Sequence, residues 1–427
     1  MRSPLKPRKK DRLSRSFYIF WSGNMSSNLA DGIMLTTLPM TAAILTNDPL
    51  LVAGLTVMRF LPRLLFSLFV GALVDRLNQI TLMISANLIR SVILGFLALL
   101  VAFENSSIAV LYLVMFAVMT CEVFYDTSAD TLILKLAPPN LLDRANSRVE
   151  GGRVVTERFA GAPTASFLFV VAAALPIAVN AGAYLLGALI LLAIPFSWKK
   201  MLREARTDPH KKIQEGLIDS ISSGIRYLLT DRHLLRFTMF TVVMHMAFMA
   251  QGAILVLLVQ DHFGVAPQFF GLFLGTAAIG ALLGALTVEK SVQILGRFRV
   301  EVIAFGTMGV CCALMAIAPN AIVAALVWAL LAFVLTLSNT IIVGILQLAI
   351  PEDLLGRVLS TTRMLAMGLS PIGALVGGFL ARGDLRFPSI AAAVAMVVAT
   401  IWVVGSLRSI CVRADQSKRD RLKMNSS

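Results

Sequence analysis

Seven ionisable side chains crowd two stretches of this chain that are otherwise strongly apolar. Glu122, Asp126 and Asp130 lie in the first, and Glu150, Arg153, Glu157 and Arg158 in the second. The first three stand four residues apart, which on a helix places all three carboxylates on one face. Glu150, Arg153 and Glu157 recur at i, i+3 and i+7, again one face. Asp31 stands near the middle of a further apolar stretch, residues 17–45. A charge at bilayer depth costs roughly 2.5–3.5 kcal/mol on insertion scales, so it persists where it faces protein or water. Two kinds of chemistry fit such groups: fixed ion pairs that set helix packing, and carboxyls that take up and release protons or bind cations.

Residues 119–169 read as a helical hairpin whose turn is Pro138-Pro139-Asn140. Residues at equal depth on its two arms have numbers symmetric about that turn. Asp126 is thereby set opposite Arg153, Glu122 opposite Arg158, and Asp130 near Glu150. An Asp126–Arg153 bridge is the structural expectation, because buried acids pair with bases. The acids outnumber the arginines, so at least one carboxyl is left to titrate. Desolvation favours its protonated form. Asp31 and Glu122, each midway along its helix, are the leading proton or cation sites, against a packing or capping role for the same residues. Arg59 and Arg90 read as structural or snorkelling cations. His245 and Gln251 are secondary candidates for contact with a substrate. Glu289 and Lys290 read as an interfacial pair.

Other chemistries are excluded or unsupported. No Gly-Lys-Ser/Thr loop is present to cradle phosphates, and no nucleophile elbow or metal-ligand spacing occurs. Cys121, Cys311, Cys312 and Cys411 read as small packing residues. The chain is therefore expected to be no enzyme, to carry no cofactor or metal, and to draw energy from an ion gradient, most simply protons.

The elements that position these groups follow from composition. The 427 residues are 57% hydrophobic and 15% charged, with mean hydropathy +0.81. A soluble domain is about 45–50% apolar and about 25% charged, so this is an integral membrane protein. Long apolar runs without strand alternation make the spans helical. About twelve are expected. The division is a basic arm at 1–16, a six-helix bundle at 17–196, a linker with an amphipathic helix at 197–236, a second six-helix bundle at 237–407 and a basic tail at 408–427. The net charge of +14 points to cytoplasmic loops rather than nucleic acid, because alternate connections are rich in Lys and Arg. Arg382 and Arg386 are exceptions on the cation-poor side. With twelve helices both termini are cytoplasmic. No cleavable leader is expected, so the first span stays.

An internal repeat agrees. Ile133-Leu134-Lys135-Leu136-Ala137-Pro138 is similar to Ile345-Leu346-Gln347-Leu348-Ala349-Ile350, and Leu141-Leu142-Asp143-Arg144 to Leu354-Leu355-Gly356-Arg357. The offset at the arginines is 213 (357 − 144), and Gly71 and Gly284 share it. Two homologous halves are a transporter layout with the substrate path between them.

Further segments carry a resemblance. Gly71-Ala72-Leu73-Val74-Asp75-Arg76 resembles the start of the loop between helices 2 and 3 of the major facilitator superfamily. Residues 27–32, 48–55 and 143–148 and Gly161-Ala162-Pro163 resemble its multidrug and macrolide efflux branch, which includes enterobactin-exporter-like proteins. The resemblance implies an all-α, twelve-helix fold in two pseudo-symmetric bundles. It also implies alternating access, with Gly71, Asp75 and Arg76 as a gating loop. The chain departs from the pattern where Asn78-Gln79-Ile80 follow Leu77, where Val288-Glu289 replace Asp-Arg in the second copy, and at Arg63. The expected protein is a monomeric secondary transporter of a bacterial plasma membrane. It exports small amphipathic or cationic compounds in exchange for protons and contacts membrane lipids. Its site would comprise Asp31, Glu122, Asp126, Arg153, Glu157 and Arg158. The alternatives are export of one metabolite, such as a siderophore or lipid-like compound, and a non-transporting sensor or scaffold.

Overall fold

The structure, a computed structural model, describes residues 13–74, 76–194 and 225–424. The gating-loop residue Asp75, the side chain of Arg158, the basic arm up to residue 12 and most of the expected amphipathic linker helix lie outside the described residues; within the linker, residues 225–230 form a helical turn.

Among the described residues, twelve helices are long and apolar enough to cross a membrane. They are α1 (Arg15–Leu45), α2 (Pro49–Val74), α3 (Gln79–Ala102), α4 (Ile108–Leu136), α5 (Leu142–Val171) and α6 (Ala174–Leu192). The remainder are α7 (Arg232–Gly252), α8 (Pro267–Leu295), α9 (Arg297–Ile317), α10 (Ala321–Ala349), α11 (Glu352–Ala381) and α12 (Phe387–Met424). No strand occurs among the described residues. In hydrocarbon a helix meets every backbone hydrogen bond within its own segment. Polar caps close the ends that emerge. Asn78 accepts from the amides of Ile80 and Thr81, Ser107 from Val110, Asp231 from His233 and Leu234, and Asn320 from Val323. Outward faces carry apolar side chains such as Val92, Phe96, Leu113 and Ile401, all more than half exposed. That suits lipid and would be a liability in water.

The chain separates into two compact units. One holds Met1–Leu45, Leu61–His210 and Pro267–Gly271; the other holds Thr46–Phe60, Lys211–Ala266 and Leu272–Ser427. Within the first, α6 packs along α1 and α3, α3 along α4, and α1 along α5. Within the second, α12 packs along α7 and α9, α9 along α10, and α7 along α11. The four pairings are the same six helices later, so the sequence repeat is a repeat of packing.

One crossing depends on glycine. The α1–α5 approach is so close that a Cβ on Gly32 would run into the carbonyl of Glu157, and one on Gly161 would meet the Gly32 Cα at 2.7 Å. Small residues allow this contact where lipid supplies no hydrophobic drive between helices. Residues Val154–Gly161 are π-helical there. Pro163 follows, and a proline lacks the N–H that would continue the α-helical bond pattern behind it.

Three local findings refine the sequence reading. The departure at Asn78-Gln79 is filled by new ties: Asn78 caps α3, the Gln79 amide donates to the Val74 carbonyl at 2.9 Å, and Lys135 donates to Gln79 at 3.2 Å. Second, the two cations that break the loop-charge pattern are each neutralised on the spot. Arg382 makes a bidentate pair with Asp48 at 2.9 and 2.5 Å, and Arg386 binds Asp384 at 2.8 Å. The guanidinium of Arg382 holds the Asp48 carboxyl below the usual range, and Arg386 pushes that of Asp384 down to about 2. Third, residues 408–424 are not a separate tail but continue α12. After Gly405 that stretch holds neither Gly nor Pro and is rich in Arg and Lys, which favour helix.

The glycine crossing sets a stability test. Gly32→Ala should lower stability by roughly 1–3 kcal/mol through overpacking. Gly182→Ala, with open space around its Cβ position, should leave it unchanged or slightly raised. Thermal unfolding of both variants in detergent is the measurement.

Candidate functional site

Among the described residues of the first unit, one cation is completely buried. Arg90, near the middle of α3, has no exposed side-chain surface. Four helices meet on it. Asp31 comes from α1, Glu122 and Tyr125 from α4, and Tyr184 from α6. Helical spacing brings partners in register: Glu122 and Tyr125 are three apart, and Ser27 and Asp31 four apart, so each pair shares a face. One turn before Arg90, the Asn87 amide donates to Ser27 Oγ at 2.8 Å and fixes α3 against α1.

The guanidinium is divided between two acids. Its Nη1 lies 3.4 Å from Asp31 Oδ1 and 3.3 Å from Glu122 Oε2. Both contacts are longer than the about 2.7–2.9 Å of a tight charge-assisted bond, and both come from the same nitrogen. Nε and Nη2 have no hydrogen-bond partner among the described residues. The flat faces of the cation are covered instead. Its central carbon lies 4.8 Å from the Tyr125 ring centre and 4.6 Å from that of Tyr184. A guanidinium stacks on aromatic faces in a way that an ammonium cannot. The Tyr184 hydroxyl also donates to Asp31 Oδ1.

The two acids are not equivalent. Asp31 is 11% exposed at its side chain and holds two partners; Glu122 is 21% exposed and has the Arg90 contact. If both are ionised, one positive charge faces two negative ones. The cluster then has room for one further positive charge, a proton or a cation.

The other expected residues lie elsewhere. Asp126 does not meet Arg153. It pairs with Arg63 of α2 at 2.6 Å, both side chains 46% exposed. Arg153 turns back to Glu150 on its own helix at 2.8 Å. Glu122 is held by Arg90; the side chain of Arg158, set opposite it by depth, lies outside the described residues. The reason is lateral: α5 packs chiefly on α1, with little contact to α4. Depth matching gave the level of each charge but not the helix it faces. Glu157 lies at the glycine crossing with α1, in the π-helical segment, and Asp130 is exposed. The alpha-helical Gly71 has open space around it, and Arg76 is exposed. His245 bonds the Thr241 carbonyl one turn back, and the Gln251 amide donates to Ser389 on α12; both are packing contacts.

Arg90 is the residue whose role sequence reasoning missed. The turn around residues 104–107 places Arg90 level with Glu122, by the same depth rule that was applied to the next hairpin. Arg63 was also legible as a candidate partner for an acid, and it has one.

The comparisons with known proteins agree with this architecture. The sequence matches the family model described as Major Facilitator Superfamily over residues 20–361. No curated protein matches it. The structure is similar to the nucleoside transporter NupG, with TM-score 0.73 and 14% identity over 92% of this chain and 99% of that one. It is also similar to a bacterial homologue of the iron transporter ferroportin in an inward-facing state, with TM-score 0.71 and 15% identity over 92% and 98%. A bacterial homologue of the human lysosomal transporter Spinster gives TM-score 0.61 and 13% identity over 95% and 99%. At these identities the likeness is one of fold.

Removing the shared cation should be the most damaging change here. Arg90→Gln leaves the buried Asp31 and the partly exposed Glu122 without their base, and losing one partner of a buried pair costs about 3–5 kcal/mol. Arg90→Lys should lie between that variant and the parent, because it keeps the charge but loses the stacking. Melting temperatures in detergent should rank parent, Lys, Gln in falling order.

Proposed function

The chain belongs to the major facilitator superfamily, a membrane transporter, and from that premise we propose that it is a proton-coupled exporter of small amphipathic or cationic compounds. The observation that carries this reading is the division of Arg90 between Asp31 and Glu122. A cluster with one base and two acids is one positive charge short of neutrality. In a low-dielectric setting that charge must come from somewhere. A proton supplies it in one state and a cationic substrate in the other, so the two compete for one place and exchange across the membrane.

Glu122 is the better candidate for the exchanging carboxyl. It is the more exposed of the two, whereas Asp31 is also held by Tyr184. Arg90 then acts as the fixed charge that the two carboxyls share. Asp126 with Arg63, and Glu150 with Arg153, are positioning pairs in this scheme. Glu157 and Arg158 belong to the α5 segment that crosses α1, and the stretch that holds Gly71 at the end of α2 and Asp75 and Arg76 after it gates the change of state. Both termini and the 197–236 linker lie in the cytoplasm, the bundles being 17–196 and 237–407. The protein works as a monomer in the bacterial cytoplasmic membrane. An anionic substrate is not favoured: Arg90 is buried and Arg63 is paired.

The test is uptake of labelled cationic compounds into inverted vesicles, with and without a pH gradient. Glu122→Gln should abolish gradient-driven transport while leaving the protein folded, and Asp31→Asn should do so with some loss of stability. Normal pH-dependent transport in both variants would rule the assignment out. If no compound in a broad panel is moved or raises the melting temperature of the parent, the protein is a sensor or scaffold of this fold.

A further inference from the structure

Three charged side chains are buried among the described residues: Asp31, Arg90 and Glu301. The first two belong to the cluster above. Glu301 stands in the second unit, one turn inside α9, with no exposed surface. Its Oε2 accepts from Ser338 Oγ of α10 at 2.7 Å, and its Oε1 has no hydrogen-bond partner among the described residues. Ser338 is 213 residues after Tyr125, the offset of the internal repeat. Tyr125 contacts the buried Arg90 of α3 from α4, and Ser338 contacts the buried Glu301 of α9 from α10. Corresponding helix pairs in the two units thus enclose one ionisable side chain each, of opposite sign.

The difference lies in the counter-ions. Every helix packed on this part of α9 can be checked. Helix α10 holds no titratable residue. On α9 itself, Arg297 is one turn away but pairs with Asp415 of α12 at 3.9 Å, and Arg299 is exposed. On α12, Cys411 is buried, Arg408 is exposed, and Arg413 is taken by Asp231. Helix α7 meets α9 through Phe240 and Phe305. Its Arg232 is exposed, its His233 bonds Ser406, its Arg236 covers the Trp402 ring and its His245 bonds Thr241. No base pairs with Glu301 among the described residues.

We propose that Glu301 is a proton-binding site of the second bundle, its carboxyl carried in the neutral form and held by Ser338. An ionised carboxylate there would be a buried charge with nothing to balance it, the costliest arrangement a low-dielectric interior allows. A proton removes the charge without needing room for a ligand. The site does not depend on the exchange assigned to Glu122, since it has different helices and a different partner.

Infrared spectroscopy of the purified full chain at neutral pH reads the protonation directly. The carbonyl band of a protonated carboxyl should be present in the parent, reduced in Glu301→Gln and shifted in Ser338→Ala, which keeps the acid but removes its donor. The second variant keeps the test valid if the first fails to fold. Melting temperature against pH gives an independent reading. A carboxyl that is neutral when folded and ionised when unfolded loses stability as pH rises. The parent should therefore fall relative to Glu301→Gln as pH rises, with the two close together at the acid end. No change in the carbonyl region in either variant would overturn the proposal. So would a Gln variant less stable than the parent at neutral pH whose deficit shrinks on acidification, which marks an ionised, paired carboxylate. A melting temperature of the parent that rises with sodium and not with protons would replace the proton with a metal cation and equally overturn it.

Discussion

A charge removed from water must find its balance within a few ångströms, and the first unit is arranged around one such charge. Arg90 of α3 lies among three other helices, and each contributes something it requires: acids from α1 and α4 for its charge, rings from α4 and α6 for its faces. The cation also keeps α1, α3, α4 and α6 in one register, since a slip of any helix by a turn would strand a partner in an apolar setting. The same demand explains why the helix surfaces elsewhere are so plain. Where no balance is at hand, the chain carries Leu, Val and Phe.

The two units use one packing scheme and two charge schemes. Their helix pairings repeat six helices apart, and close approaches recur with them: Gly32 and Gly161 between α1 and α5, Gly377 against the Ala250 carbonyl between α11 and α7. The polar content does not repeat. The first unit concentrates its acids and bases in the Arg90 cluster and the Arg63–Asp126 pair; the second buries Glu301. Duplication preserves backbone geometry, because a crossing tolerates only small residues, while side chains inside each bundle are free to diverge. An asymmetric machine has thereby been built on a nearly symmetric frame.

Much of this was legible in the amino-acid order. Twelve spans follow from apolar length, and the halves from the 213-residue offset, because both depend on patterns summed over many residues. Asp31 and Glu122 stood out as acids in apolar surroundings, and they do meet. What they meet on was not read: Arg90 has a long side chain of the sort that reaches for an interface, yet from mid-helix it has no interface to reach. The expected Asp126–Arg153 bridge failed for a different reason. Counting from a turn gives depth, and depth is common to all helices at that level; it says nothing about which ones are neighbours. The π-helical stretch of α5 had a weak herald in Gly161-Ala162-Pro163. Glu301 had none, because its seclusion comes from α10 and α12, far away along the chain.

Helix α12 is 38 residues long. At about 1.5 Å per residue it measures about 57 Å, nearly twice the about 30 Å of hydrocarbon that it has to cross. The surplus is its basic end. Those cations are therefore carried on a stiff mast, spaced at fixed intervals from the bilayer, where a limp tail would have lain along the headgroups. Each further turn of helix there adds about 5.4 Å to that reach.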